Sequence, residues 1–152
     1  MNNVTQFWDS DTISTTGSSQ PLSTFIISDR LCFRVRAVEF RWHNSVAGTN
    51  RRFFVGLSKK FNDLHFGSSV PNLNNYAAMM AFDSREGAVR GSAILLNRRV
   101  ELWDYNYRLV MPPTIMGIGP NANQVISVGM YGELMPCSQA ERNAIILWQG
   151  GP

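Results

Sequence analysis

The amino-acid sequence predicts an all-β fold: a single-domain β-sandwich with an extended N-terminal arm and a short C-terminal helix. Three observations predict it. In Arg30–Trp42, RLCFRVRAVEFRW, apolar and charged residues alternate with the period of two that an extended chain requires. Seven or eight such runs recur at fairly regular spacing, separated by Gly, Pro and Asn. One helix signature stands at the far end, where Ser138 and Glu141 have the spacing of a capping box.

Residues 1–24 are rich in Ser, Thr, Asn and Gln and are broken by Gly17 and Pro21; Phe7, Trp8 and Ile13 are their few anchors. Such a stretch cannot bury enough surface to fold alone, so it reads as an arm docked on a neighbouring surface. Residues 25–152 form the sandwich domain. Thr24–Ile27 reads as a short entering strand. In Arg30–Trp42, Leu31, Phe33, Val35 and Ala37 share one face. The phase then slips at Ala37–Val38, and Val38, Phe40 and Trp42 carry the apolar face onward. A one-residue slip signals a bulge or bend.

His43–Asn50 is a turn region by composition, and Arg51–Ser58 is a strand with Phe53, Val55 and Leu57 on one face. Lys59–Asn75 reads as a long surface loop. Tyr76–Phe82 contains helix-favouring Ala and Met, but its alternation and the β context make it a strand. Asp83–Gly91 is a turn. Ala93–Tyr107 alternates well, with Ile94, Leu96, Val100 and Leu102 inward, although Arg98–Arg99 leaves a hairpin at mid-run open. Trp103, Tyr105 and Tyr107 follow on a single side. Phe53 and Trp103 read as core, with Tyr105 and Tyr107 undecided. The prolines and glycines of Pro112–Pro120 mark a loop that continues to Asn123. Gln124–Leu134 is the clearest late strand, with Ile126, Val128, Met130 and Leu134 on one face. The helix spans 138–149 and stops at Gly150-Gly151. Its residues Ala144–Trp148 are apolar round too much of the circumference for one-sided packing. This succession of strands is that of a sandwich or jelly roll.

Charged residues are 16% of the 152-residue chain, against about 25% in average soluble proteins. Uncharged polar residues fill the difference, and a surface of amides and hydroxyls is cheaper to bury against other chains than one of ions. The net charge of +3 is unevenly spread: residues 30–60 hold eight of the 14 basic residues against Glu39 alone. That region reads either as a nucleic-acid-facing surface or as arginines tied to carboxylates across subunit contacts. Cys32 and Cys137 read as free thiols in a chain that matures in a reducing, cytoplasmic compartment. No signal peptide or apolar run of membrane-spanning length is present, so no membrane partner is expected.

No pattern calls for a cofactor or metal. His43 and His65 lack neighbours at ligand spacing, and Asp9 and Asp11 supply too few oxygens for a calcium ion. Glu39, Glu101 and Asp104 are the only strand-borne carboxylates for glycoside hydrolysis, each equally explained as an arginine partner. There is no phosphate loop and no nucleophile elbow, so an enzyme is not expected.

With an arm at Met1–Thr24, a sandwich from Thr24 to Leu134, long loops at Lys59–Asn75 and Met111–Asn123, and an apolar tail at Ser138–Trp148, the chain resembles a small single jelly-roll viral capsid or virion protein. It departs from many RNA-virus coat proteins in lacking a basic arm. The resemblance implies a structural protein located in the virion that self-assembles into a symmetric shell. Its partners would be copies of itself, other virion proteins, and nucleic acid through region 30–60. Phe7, Trp8, Ile145, Ile146 and Trp148 are then candidate subunit contacts, and Arg34, Arg36, Arg51 and Arg52 candidate nucleic-acid-facing charges. Two alternatives stand beside it. One is a carbohydrate-binding sandwich, a lectin or fibre-tip module with Trp103, Asp104, Tyr105 and Asn106 around a sugar; the other is a small sandwich hydrolase using the carboxylates above.

Overall fold

The computed structural model describes residues 4–13, 18–43, 52–60, 76–83, 96–118 and 124–150. Among the described residues nine strands and one helix follow in chain order: β1 (Thr5–Ile13), β2 (Ser18–Pro21), β3 (Leu31–His43), β4 (Arg52–Ser58), β5 (Tyr76–Asp83), β6 (Leu96–Glu101), β7 (Arg108–Leu109), β8 (Thr114–Ile118), β9 (Gln124–Pro136) and α1 (Gln139–Trp148). One sheet has the order β1-β9-β3-β6, with the two-residue β7 also pairing with β3; the other has the order β2-β8-β4-β5. Every pairing is antiparallel. Setting β7 aside, β4 pairs with β5, β3 with β6, β2 with β8 and β1 with β9. That is one long hairpin of nested pairs rolled into two layers, the jelly-roll order.

The core lies between the layers. Phe33, Val35, Val38, Phe40 and Trp42 from β3 meet Ile126, Val128 and Met130 from β9 and Val55, Leu57, Ala78 and Ile115 from the opposite sheet. Fully burying one such Phe or Leu side chain contributes roughly 1.5–3 kcal/mol, so this cluster holds the sheets together. The phase slip expected in β3 is a bulge: Val35 lies opposite Gly132 and Ala37 opposite Tyr131, leaving Arg36 as the extra residue. Its carbonyl accepts from Leu102 N at 2.7 Å, while Val35 N donates to Tyr107 O at 2.8 Å. The bulge therefore fastens the 102–107 connection to the sheet.

Several expectations are corrected. Within the segment 1–24, Thr5–Ile13 and Ser18–Pro21 do not form a separate arm but complete one edge of each sheet of their own chain. Thr24–Ile27 is not a strand. It follows a turn in which Phe25 N donates to Leu22 O at 2.9 Å, with both side chains buried. Thr114–Ile118, read as loop, is a buried strand between β2 and β4. β6 runs straight through Arg98–Arg99 without a hairpin. Trp103, read as core, lies in a turn and is 49% exposed, because residues 102–107 leave the ladder and no sheet face orders their alternation. The expected turns and loops at 44–50, 61–75, 84–91 and 119–123 lie outside the described residues.

The helix, expected over 138–149, spans Gln139–Trp148 with Ser138 as N-cap and Gln149 as C-cap. Ser138 accepts from Glu141 N, Glu141 returns a bond to Ser138 N at 2.9 Å, and Gly150 has a φ of 81°, the left-handed conformation that glycine adopts without strain.

Candidate functional site

Two surfaces concentrate the chemistry. The first is the outer face of the sheet β1-β9-β3-β6. On β3, Glu39 and Arg41 point away from the core because Val38, Phe40 and Trp42 take the inner positions. Gly129 on β9 is bare of a side chain, and the Trp8 indole from β1 occupies the place a Cβ would need. The Arg41 guanidinium lies 4.3 Å from the Trp8 ring centre and bonds Glu39 Oε2 at 2.9 Å. Tyr131 donates its hydroxyl to the same oxygen at 3.0 Å, and Arg99 sits 4.6 Å over the Tyr131 ring.

From there Arg99 reaches Glu101 at 2.6 Å, and the second Glu101 oxygen accepts from Trp103 Nε1 at 2.7 Å. Arg36 closes the row, 4.7 Å over the Trp103 ring and 3.1 Å from Glu133 Oε2. Three cations, three carboxylates and three aromatic rings thus form one continuous ribbon. Burial, then the hydrogen bond to Glu39, push the Tyr131 hydroxyl above its ordinary range, so it remains a donor.

The ribbon decides the fate of several candidates. Arg36 is tied to a carboxylate of its own chain, the intramolecular version of the ion pairing expected between subunits. Arg34 on the same strand has its Nε buried without a hydrogen-bond partner among the described residues. Arg52 begins β4 in the other sheet, and Arg51 lies outside the described residues, so the basic run 30–60 is divided between two layers. Glu39 and Glu101 are both held by arginines, and Asp104 lies in an exposed turn.

Trp103 offers a sugar little: Arg36 covers its ring and Glu101 takes its N–H. Asp9 accepts from Ser10 N and from both the amide and hydroxyl of Ser23, and Asp11 from Thr12 N. Burial pushes the Asp9 carboxyl up, but the Ser23 hydroxyl and these amides outweigh it and hold it low. Among the described residues no group of three or more His, Cys, Asp or Glu side chains is placed to hold a metal. His65 lies outside them, and His43 ends β3. No described helix is long and apolar enough to cross a membrane.

The second surface is α1, which closes one end of the sandwich. Ile145 is buried with Cys32 and Val110, and Ile146 packs half-buried on the same cluster. Gln149 is fully buried and uses its whole amide. Its Oε1 accepts from Val110 N (2.9 Å) and Met111 N (3.0 Å), while its Nε2 donates to Lys59 O (2.8 Å) and Met111 O (3.0 Å). Trp148 meets Tyr107 edge-on at 4.8 Å, and Lys59 Nζ lies 4.2 Å over its ring. The outer side remains apolar and open, with Leu147 67% and Trp148 40% exposed. Phe7, by contrast, is spent inside its own molecule, 4.9 Å from the Phe25 ring and 5.1 Å from that of Phe33.

A cleft of about 500 Å³ opens between the edges of β5 and β6, lined by Ala77 and Met79 on one side and Val100, Glu101, Tyr105 and Tyr107 on the other. The Tyr107 hydroxyl is buried without a hydrogen-bond partner among the described residues, and burial raises its pKa, keeping it neutral. Sequence reasoning missed this cleft because β5 and β6, though consecutive, end different sheets, and only the rolled topology shows that these edges face each other. It also passed over Leu147, whose exposure depends on which helix face the sheet takes. No protein-family model and no curated protein matches this chain in sequence.

Proposed function

We propose that this chain is a structural virion protein, a capsid subunit that self-assembles into a shell through α1 and the sides of its sandwich. The observation that carries the reading is the open apolar side of α1, with Leu147 and Trp148 exposed on a helix held at its C-terminal end by Gln149 and in its first turns by Arg142, which bonds Leu31 O at 3.3 Å. A rigid apolar ridge loses little further freedom on association, so burying it against another subunit is favourable. The ion-paired outer sheet face supports the reading as well, since its charges are compensated before any partner arrives. The jelly-roll order adds an analogy only, being common to capsid, lectin and cupin domains. Copies of itself are the principal partner. Other virion proteins and nucleic acid are further ones, the latter with less support now that Arg36 is internally paired.

The test is the mass of the purified chain by light scattering at low and high salt, with absorbance read at 260 nm. Wild type is expected as particles far above the 17.1 kDa chain mass. Leu147→Glu, which changes an exposed side chain and leaves the core intact, is expected to cut assembly at least roughly tenfold at equal far-ultraviolet circular dichroism. A wild-type monomer at every concentration would sink the reading.

The β5–β6 cleft favours a second reading, a carbohydrate-binding module in which Tyr105, 63% exposed, stacks on a sugar ring. A glycan array on which wild type binds and Tyr105→Ala does not would place this reading first; an array without hits would remove it.

A further inference from the structure

Cys32 and Cys137, far apart in sequence, meet beneath the root of α1. Cys32 lies opposite Met135 in the β3–β9 ladder, and Cys137 follows that strand by one residue with its amide bonded to Arg30 O at 2.9 Å. Strand side chains alternate between faces, so Cys32, Met135 and Cys137 share the outer face of the sheet. Both cysteines belong to the same apolar cluster as Val110 and Ile145. Both are free thiols, Cys32 buried and Cys137 half-buried. We infer that Cys32 and Cys137 are a disulfide-forming pair, a modification site that low-molecular-weight disulfides such as oxidised glutathione convert into a covalent tie between β3 and the root of α1.

The half-buried Cys137 is the sulfur a small disulfide reaches. Its thiolate attacks one sulfur of oxidised glutathione, forming a mixed disulfide and releasing one glutathione thiolate, which takes up the proton Cys137 gave to solvent. Cys32 then loses its proton, its thiolate attacks the Cys137 sulfur, and the second glutathione leaves as its thiol. Two protein thiols and one oxidised glutathione become one protein disulfide and two reduced glutathiones. The environment orders these steps. Burial, then the neighbouring Cys137, push the Cys32 thiol up, while the Arg108 guanidinium opposes that shift. Cys32 therefore serves as the resolving sulfur, held protonated until the mixed disulfide forms beside it. In reducing surroundings the pair stays open; in oxidising ones it closes behind the helix.

The experiment equilibrates the full chain in glutathione buffers of increasing oxidised fraction, quenches with acid, alkylates remaining thiols and reads intact mass and a peptide map. The native chain is expected to lose two hydrogens and become unreactive to alkylation, with a linked Cys32–Cys137 peptide. This should occur at an oxidised fraction where the urea-unfolded chain still takes two alkyl groups. The oxidised chain is expected to melt roughly 5–10 °C above the reduced one. Cys137→Ser should abolish both changes, and Cys32→Ala should stop at a single glutathione adduct. A native chain that keeps both thiols, halts at the mixed disulfide, forms only intermolecular cross-links, or oxidises no more readily than the unfolded chain overturns the inference.

Discussion

A single buried amide, Gln149, joins the end of α1 to the Lys59 carbonyl and to both amides at Val110–Met111, with all four of its hydrogen-bonding positions filled. Gln149→Glu keeps the shape but sets an oxygen against the carbonyls of Lys59 and Met111 and buries a charge there. Urea denaturation is expected to show a loss of about 3 kcal/mol; a loss below about 1 kcal/mol would mean that the amide does not clamp the helix. Sequence reading saw Gln149 only as the helix end. The capping box was legible because Ser138 and Glu141 are neighbours. The partners of Gln149 lie 38, 39 and 90 residues away and carry no local signature.

Among the elements, β3 and β9 were legible because each has core on one side and polar groups on the other, so burial writes itself as alternation. The slip in β3 was legible for the same reason. β1 escaped because it is an edge strand: Phe7 is its core residue, and Asp9 and Asp11 share that face while bonding nearby amides. β8 escaped because Pro112, Pro113, Gly119 and Pro120 bracket five residues and advertise a loop, although they only trim the strand's ends. The β1–β9 pairing has its own test in Gly129. Adding a methyl group there forces the Trp8 indole off the sheet and away from Arg41. Gly129→Ala is expected to cost about 2 kcal/mol and to shift tryptophan emission toward longer wavelength. An unchanged spectrum and stability would place Trp8 elsewhere.

At the scale of the whole molecule, the sandwich class could be inferred from strand count and turn spacing, whereas the partners of each strand could not, since pairing depends on segments far apart. The N-terminal segment shows the difference. As a detachable arm it could be removed at little cost to folding; as β1 and β2 it supplies one strand to each sheet. Deleting residues 1–20 is expected to abolish cooperative thermal unfolding by circular dichroism, because it strips β9 and β8 of a neighbour and uncovers Phe25 and Phe33. A truncated chain melting within a degree or two of wild type would restore the arm. The nesting of pairs also sets a timetable for biosynthesis. Thr5 pairs with Gly132 and Ile13 with Gln124, so β1 leaves the ribosome well before the strand it pairs with. At roughly 5–20 residues per second, Phe7 and Trp8 wait on the order of ten seconds as bare aromatic side chains on a nascent chain. Holding factors that bind such segments would therefore set the yield of folded protein, and slowing translation late in the message would lower that yield.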